Sequence, residues 1–549
     1  MRNYLKYKNK ITFAGYIFFQ TLQILVTVCV ALLLNWMVDQ ISLALGNHDS
    51  ALGIVSLLKD FIVCAVYAVI LGMLVFVSGK LKAKCVKKAC LNLRTDIISG
   101  LFCETPFNFN KKNSTEYISL MNQNMTLVEE NYFKNKLSIY ESIVSIVFAA
   151  ILLVMMNPVI AAVSLILMSI PSLLPRLFSK KLALLQSDVA ARGGKYNGIL
   201  NDLFHGFCVI KNYGIENKIK AKHEGQAVAL ESSKEKFSAK MAIVYAVSGM
   251  AGVAVQFLVI AFAGILAVRG YLTIGSIIAI TQLTGQVISP AFQLSAKVTQ
   301  LKSVKNILTE MNEIIEKSKL ADCQSDDKVV PALTFDKNIE LHDVVYCFDD
   351  NRKGLDRISL TFDKGKHYVV TGKSGCGKST LLKIISGYYT PSEGIILIDG
   401  ESKKKISCAT VAQDAFLFSG TIRDNITLFN DFSKEEIMTV VDKAGLKDFV
   451  DSLPKGLETP VEENGSSFSG GERQRISIAR ALIYDRQLLL FDEATSALDT
   501  QTAMKIEETI RNLPDKTVVT VTHRTDLVTL GFYDKEIKMT GGKVEVMSA

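Results

Sequence analysis

The sequence predicts a multi-domain chain. An all-α membrane domain of six helices, residues 1–317, is followed by an α/β domain with a phosphate-binding loop, residues 334–549, and a linker at 318–333 joins them. Three observations predict it. Long uncharged stretches fill the first 300 residues and then stop. The segments between those stretches alternate between rich and poor in Lys and Arg. A glycine-rich loop at 372–380 stands between an apolar strand and an apolar-periodic helix.

The membrane half comes first. A spanning helix needs about 20 mostly apolar residues. Lys10 to Asp39 encloses 28 uncharged residues, Asp60 to Lys80 encloses 19, Lys240 to Arg269 encloses 28, and Arg269 to Lys297 encloses 27. Glu141 to Arg176 encloses 34, too many for one span. Asn157-Pro158 near its middle is a turn signal, so this stretch reads as a hairpin of two spans, the first beginning before Glu141. The N-terminal segment holds four Lys or Arg, residues 80–137 hold ten and 176–240 hold twelve, whereas the other connections hold only Lys59 and Arg269. That asymmetry predicts both termini and both long loops on the cytoplasmic side of the cell membrane. The loops have helical periodicity and read as extensions of the spans. The first apolar segment is too long for a signal peptide and reads as an uncleaved span.

Composition agrees with this division. Hydrophobic residues make up 49% of the 549, and the net charge of +8 is too small to argue for nucleic acid. Ten cysteines are scattered; Cys85 and Cys90 lack a second pair at zinc spacing, so free thiols in a reducing cytosol are expected. No charged residue lies deep inside a span. Ion-coupled carriers usually need one near the midplane, so the energy source must lie elsewhere in the chain. In the sixth span Gln282, Gln286, Ser289 and Gln293 share one helical face. They read either as the wall of a water-filled path or as interhelical hydrogen-bond glue. Pro290 sits within this pattern, where a kink is expected. Helical but charged sequence continues from Lys297 to about Lys317.

The second half carries the chemistry. His367 to Val370 reads as a buried strand that leads into Gly372-Lys373-Ser374-Gly375-Cys376-Gly377-Lys378-Ser379-Thr380 and then a helix. Glycines let backbone N–H groups close around phosphates, Lys378 reaches the terminal phosphates, and the Ser379 hydroxyl suits Mg²⁺. The helix N-terminus adds a favourable dipole. Cys376 occupies a loop position open to many residues and has no assigned chemistry. Leu488 to Glu493 is an apolar strand ending in two acids. Asp492 suits the Mg²⁺ shell, and Glu493 is placed to polarise an attacking water. Taken singly, Gln413 and His523 would be an ordinary loop glutamine and strand-end histidine.

With these motifs in order, residues 334–549 resemble the nucleotide-binding domain of the ATP-binding cassette (ABC) family. Phe468-Ser469-Gly470-Gly471-Glu472 resembles its signature, Val411-Ala412-Gln413-Asp414 its Q-loop, Ser496 to Asp499 its D-loop, and His523 its switch histidine. The membrane half resembles the six-helix exporter class: Gly206 to Glu216 is similar to the segment near its second coupling helix, and Gly270 to Gly275 to the turn entering its sixth helix. The sequence departs from the family pattern at three places. Phe348 stands where an adenine-stacking Tyr is usual, with Tyr346 as an alternative; Phe468 and Glu472 bound the signature where Leu and Gln are usual; and Glu463-Asn464-Gly465 lacks a common arginine. These changes could indicate an unlike partner in a heterodimer.

The resemblance implies a half-transporter that exports an unknown substrate across the lipid bilayer, driven by ATP hydrolysis, as a homodimer or heterodimer with a second half-transporter. It implies that Lys378, Ser379, Gln413 and Asp492 hold MgATP, with Ser379, Gln413 and Asp492 at the metal. Glu493 is then the general base and His523 steadies the γ-phosphate. Ser469 and Gly471 contact the γ-phosphate of the ATP on the opposite chain, and Gly470 and Asp499 also belong to the nucleotide-binding residues. Two other readings stay open: an exporter-fold importer of a metal chelate, and a non-transporting regulatory ATPase.

Overall fold

A computed structural model describes the chain except residues 1–3, 6, 8, 47–49, 105, 110–113, 321–333, 349–351, 403–405, 463–464, 497, 523–530, 532 and 549. The chain divides into two compact units, Met1–Cys103 with Lys112–Asp322, and Cys323–Ala549 with Glu104–Lys111. Most of the expected linker, 321–333, lies outside the described residues.

The first unit is built on six long helices: α1 (Lys10–Gly46), α2 (Ser50–Phe102), α3 (Asn135–Met156), α4 (Pro158–His205), α5 (Glu216–Val268) and α6 (Ile274–Ser303). Five apolar helices within the described residues are long enough to cross a membrane; the apolar part of α4 is the shorter Pro158–Pro171. Side chains such as Phe61, Met73 and Phe76 on α2 are about two-thirds exposed, at 69%, 66% and 68%. Water tolerates a stripe of that size poorly, and lipid or a partner helix would cover it. At 53 residues each, α2 and α5 extend about 80 Å at 1.5 Å per residue, far beyond a bilayer core. The charged loops are thus continuous helical extensions, as the periodicity predicts.

The Asn157-Pro158 signal turns the chain as expected. Asn157 is extended, at φ −161° and ψ 114°, and its side chain accepts from the N–H groups of Val159 and Ile160 while Pro158 opens α4. This is an N-cap with proline in the first turn, which needs no donor there. A second cap spans two helices. The Thr273 hydroxyl accepts from the Ser276 N–H at 3.2 Å and donates to Asp39 of α1 at 2.9 Å, and the Gly275 N–H donates to Asp39 at 3.0 Å. Only glycine fits at 275, since a Cβ there would lie 2.3 Å from the Asn35 carbonyl oxygen.

The polar stripe on α6 divides. Gln282, Ser289 and Gln293 are exposed, while Gln286 is half-buried and donates to the Thr27 carbonyl of α1 at 3.3 Å. Interhelical glue therefore accounts for Gln286 alone. Ile280 and Val287 pack with Leu283 in the unit's core. Helix α6 continues through Pro290 to Ser303. Among the described residues eight cysteines are free thiols, including Cys85 and Cys90. Cys103 is disulfide-bonded, against the expectation of thiols throughout, because pairing depends on spatial approach that sequence spacing does not record.

The second unit has two main sheets. Strands β1 (Asn338–Cys347), β2 (Lys353–Asp363) and β4 (Glu393–Ile398) form an antiparallel sheet in the order β2-β1-β4. A six-stranded sheet runs β11-β10-β3-β9-β8-β5, with β3 (His367–Gly372), β5 (Cys408–Val411), β8 (Leu488–Asp492), β9 (Thr517–Val521) and β10 (Lys535–Thr540) parallel, and β11 (Lys543–Ser548) antiparallel at the edge. The inner strands read as near-continuous apolar runs because both faces are covered. Helices α7 (Lys378–Ile385), α8 (Gly470–Ile483) and α9 (Thr500–Arg511) follow the motif loops. Ligands in such sheets bind beyond the carboxyl ends of parallel strands, where β3 and β8 deliver their motifs.

Gly275→Ala should force α1 and α6 apart and cost roughly 1–3 kcal/mol, the usual range for overpacking. The expected readout is a lower thermal midpoint of the detergent-solubilised protein. Gly285→Ala on the same helix, where a Cβ would meet nothing within 4 Å, should leave the midpoint unchanged.

Candidate nucleotide site

The phosphate loop leaves β3 and closes onto the first turn of α7. Its turns require positive φ at Gly375 and Gly377, +78° and +111°, and a Cβ on Gly377 would stand 2.6 Å from the Gly354 carbonyl oxygen. Gly377 caps α7 without a side-chain hydrogen bond, so the first-turn N–H groups point into the loop unclaimed by a cap. That arrangement suits an anion. Lys378 is buried, and its ammonium donates to the carbonyls of Gly372 at 2.8 Å and Lys373 at 3.2 Å. Phosphate oxygens would be stronger acceptors for the same group, since both partners would be charged. The Cys376 thiol points away and packs in the core beneath the loop.

The end of β8 completes the site. The Ser379 hydroxyl donates to Asp492 at 3.1 Å, and Gln413 donates to Glu493 at 3.1 Å. Burial pushes the Asp492 carboxyl above its usual range, and the Glu493 charge adds to this; Ser379, Lys383 and Lys378 act in opposition. A hydroxyl and a carboxylate in contact are the hard oxygen donors that Mg²⁺ takes, with phosphates and water filling the rest. Among the described residues no three His, Cys, Asp or Glu side chains gather as a metal cluster. A cavity of about 570 Å³ is lined by Lys378, Ser379, Thr380, Gln413 and Glu493 together with Phe348, Arg352 and Lys353.

The aromatic alternatives are separated by burial. Tyr346 is 3% exposed and stacks on Tyr389 at 4.7 Å, inside the core. Phe348 lies at the cavity with the Arg352 guanidinium 5.5 Å from its ring centre. Gly354 makes room for that ring: a Cβ there would come within 2.8 Å of it.

Other expected residues stand elsewhere. The described residues lining the cavity do not include Ser469, Gly470, Gly471 or Asp499. Ser469 caps α8, accepting from the Glu472 N–H at 3.3 Å, while the Glu472 carboxylate accepts from the Ser469 N–H at 2.7 Å. Asp499 caps α9 and accepts from the Thr502 N–H at 2.9 Å, a bond that holds its carboxyl below the usual range. His523 lies outside the described residues; β9 ends two residues before it, at Val521.

Sequence reasoning missed the supports of the Q-loop. Gln474 of α8 donates to the Gln413 carbonyl at 3.2 Å, and Arg480 donates to the carbonyls of Asn425 at 2.8 Å and Phe416 at 3.1 Å. The available signal was polar residues on the buried face of an amphipathic helix.

Comparison with known proteins adds independent findings. Residues 11–291 match the ABC transporter transmembrane region, and residues 355–496 match the ABC transporter domain. An uncharacterized ABC transporter ATP-binding protein of Bacillus subtilis, YfiC, is 27% identical over 432 residues, 77% of this chain and 71% of its own length. The mitochondrial iron-sulfur clusters transporter ATM1 of Candida glabrata is 36% identical over 296 residues, 50% of this chain and 39% of its own length. The ATP-dependent lipid A-core flippase of Idiomarina loihiensis is 36% identical over 252 residues, 44% of this chain and 41% of its own length. A solved structure, a bacterial Atm1-family ABC exporter with ATP bound, superposes with TM-score 0.82 at 23% identity, over 98% of this chain and 95% of its own.

Phe348→Ala should raise the KM for ATP roughly tenfold, the usual worth of base–aromatic stacking. Phe348→Tyr should restore it, and steady-state ATPase assays over a range of ATP concentrations read both.

Proposed function

Because the chain belongs to the ABC transporter family, as an exporter-type half-transporter with its membrane region and ATP-binding domain fused, we propose that two chains close head to tail around two MgATP molecules to drive export across the cell membrane. The observation that carries this reading is the division of the nucleotide residues. Lys378, Ser379, Gln413 and Glu493 line one cavity and Asp492 is bonded to Ser379 beside it, while Ser469, Gly470, Gly471 and Asp499 do not line it and stay exposed or half-exposed at the heads of other helices. A second chain would bring its signature to the incomplete side.

In this reading the loop N–H groups and Lys378 bind the phosphates, and Phe348 stacks on the adenine. Ser379, Gln413 and Asp492 would hold Mg²⁺, which when bound would supply positive charge to the phosphate oxygens. Glu493 takes a proton from the attacking water as its oxygen bonds to the γ-phosphorus and the bond to the β–γ bridging oxygen breaks. His523 steadies the departing phosphoryl group. Catalysis of this kind is positioning plus charge stabilisation.

The Lys and Arg asymmetry supports both termini in the cytoplasm. Gln282, Ser289 and Gln293 support an uncharged polar stretch of the cargo path, since such groups are costly against lipid. The iron-sulfur and lipid A names of two relatives describe unlike cargoes, and neither is transferred to this chain. Those names belong to a transporter and a flippase, which favours neither a chelate importer nor a non-transporting ATPase.

Glu493→Gln should keep ATP binding, nearly abolish turnover and trap a closed dimer; wild-type steady-state ATPase would overturn the assignment of the base. Single cysteines at 282, 289 and 293, in a background without native thiols, should react with a small hydrophilic reagent. That reactivity should change when ATP and vanadate trap the cassettes, while cysteines at 280 and 287 stay protected. Equal protection at all five would move the path to other helices.

A further inference from the structure

The turn Glu493–Asp499 carries two residues assigned to chemistry, yet it begins in a conformation that its sequence disfavours. Glu493 has φ +52°, in the left-handed region. A non-glycine residue remains there only when its surroundings over-determine it. Several contacts do so. The Glu493 N–H donates to the Val521 carbonyl at 3.1 Å, the Ser496 N–H to the Glu493 carbonyl at 3.0 Å, and the Leu498 N–H to the Thr495 carbonyl at 3.3 Å. Ala494 and Leu498 are buried in the helical core of the cassette.

One further contact reaches out of the turn. The Thr495 hydroxyl donates to the Glu507 carboxylate of α9 at 3.2 Å. Glu507 is 6% exposed and shares its helix face with Ala503, Ile506 and Ile510, all core residues. A carboxylate on such a face is costly unless hydrogen-bonded, so it is a poor choice for packing alone. Its surroundings are polar in a small way: His367, Arg511, Thr520 and Tyr533 line the same cavity of about 10 Å³, room for roughly one water. Burial, and then the Glu507 charge, push the Tyr533 phenol upward, so it stays protonated and bonds Thr520. Burial pushes the His367 imidazole down, so it is neutral at pH 7.

We propose that Glu507 is a positioning residue for ATP hydrolysis, holding through Thr495 the turn that aims Glu493 at the attacking water and presents Asp499 to the opposite chain. The inference rests on the reading of Glu493 as the base. Glu507 touches no substrate and acts only through the turn. Misplacement of a reacting group by about an ångström can cost up to a hundredfold in rate. Binding of ATP, which uses β3, the phosphate loop and Phe348, should be spared.

The test compares Thr495→Val, Glu507→Ala, Glu507→Gln and Glu493→Gln in the full-length protein, with thermal midpoints recorded for each. Thr495→Val is nearly isosteric and should lower kcat about tenfold while KM for ATP stays within about twofold. Glu507→Ala should lower kcat at least as much, and Glu507→Gln should recover most of it, because an amide oxygen still accepts from Thr495. The double variant Thr495→Val with Glu507→Ala should be no worse than Glu507→Ala. Wild-type kcat in Thr495→Val, or a glutamine variant as poor as the alanine variant, would overturn the proposal. An active Glu493→Gln would remove the base assignment and this inference with it. An inactive Glu493→Gln beside a fully active Thr495→Val overturns this inference alone.

Discussion

Two adjacent carboxylates at the end of a buried strand set the terms for the cassette. Strand β8 lies between β5 and β9, with its residues Leu488–Phe491 fully enclosed, and it delivers Asp492 and Glu493 side by side. Like charges at that spacing repel, and burial adds a desolvation cost. The chain answers by turning immediately: Glu493 enters the left-handed region, which carries its carboxylate towards Gln413 while Asp492 stays with Ser379. Strand β3 must then end where its loop can present Lys378 and Ser379, and the Q-loop must be held from behind by Gln474. The sheet order, the phosphate loop and the supports of the Q-loop are all consequences of keeping that acidic pair apart and partly compensated.

The membrane unit obeys the opposite rule. The apolar windows of its spans carry few charges, and their backbone bonds close within each helix, so the groups left over at the helix ends are the ones that need partners. Asn157 closes the α3–α4 turn with its own amide, and Asp39 closes the head of α6 from a neighbouring helix. The Asp39 link also shows why Gly275 must be small: the carboxylate can reach the Gly275 N–H only if α1 approaches within backbone contact. The ATP-binding domain that supplies the energy lies in the second unit.

Most of this was legible because the signals are local. Charge-bounded apolar runs give the six long helices, and Asn-Pro gives the turn between the third and fourth. A glycine loop between strand and helix gives the phosphate site. What the sequence left open were choices between neighbours on one face. Period-two alternation puts Tyr346 and Phe348 on the same side of a strand and cannot say which is covered; the answer depends on Tyr389, more than forty residues away. The same holds for Gln286, which differs from Gln282 and Gln293 only because α1 presents the Thr27 carbonyl to it. Contacts such as Thr495–Glu507 join residues whose proximity is created by the fold, so no spacing rule marks them.

The departures from the family pattern can be weighed on the same footing. Glu472 stands where glutamine is usual, and its carboxylate accepts from the Ser469 N–H, closing a capping box at the head of α8. A negative charge at a helix N-terminus is favourable, so the change is locally stabilising. Phe468 packs edge-on against Phe449 at 5.8 Å on the helical core. The benzyl group of Phe348 offers the same stacking face as a tyrosine. These three changes keep the local job they stand in for, and the acidic pair with Lys378 and Ser379 is complete, while Glu463 and Asn464 lie outside the described residues. An unlike partner would be needed if these substitutions had emptied one site of its chemistry. The described part of the site is not emptied, since Lys378, Ser379, Asp492 and Glu493 all keep their places in it.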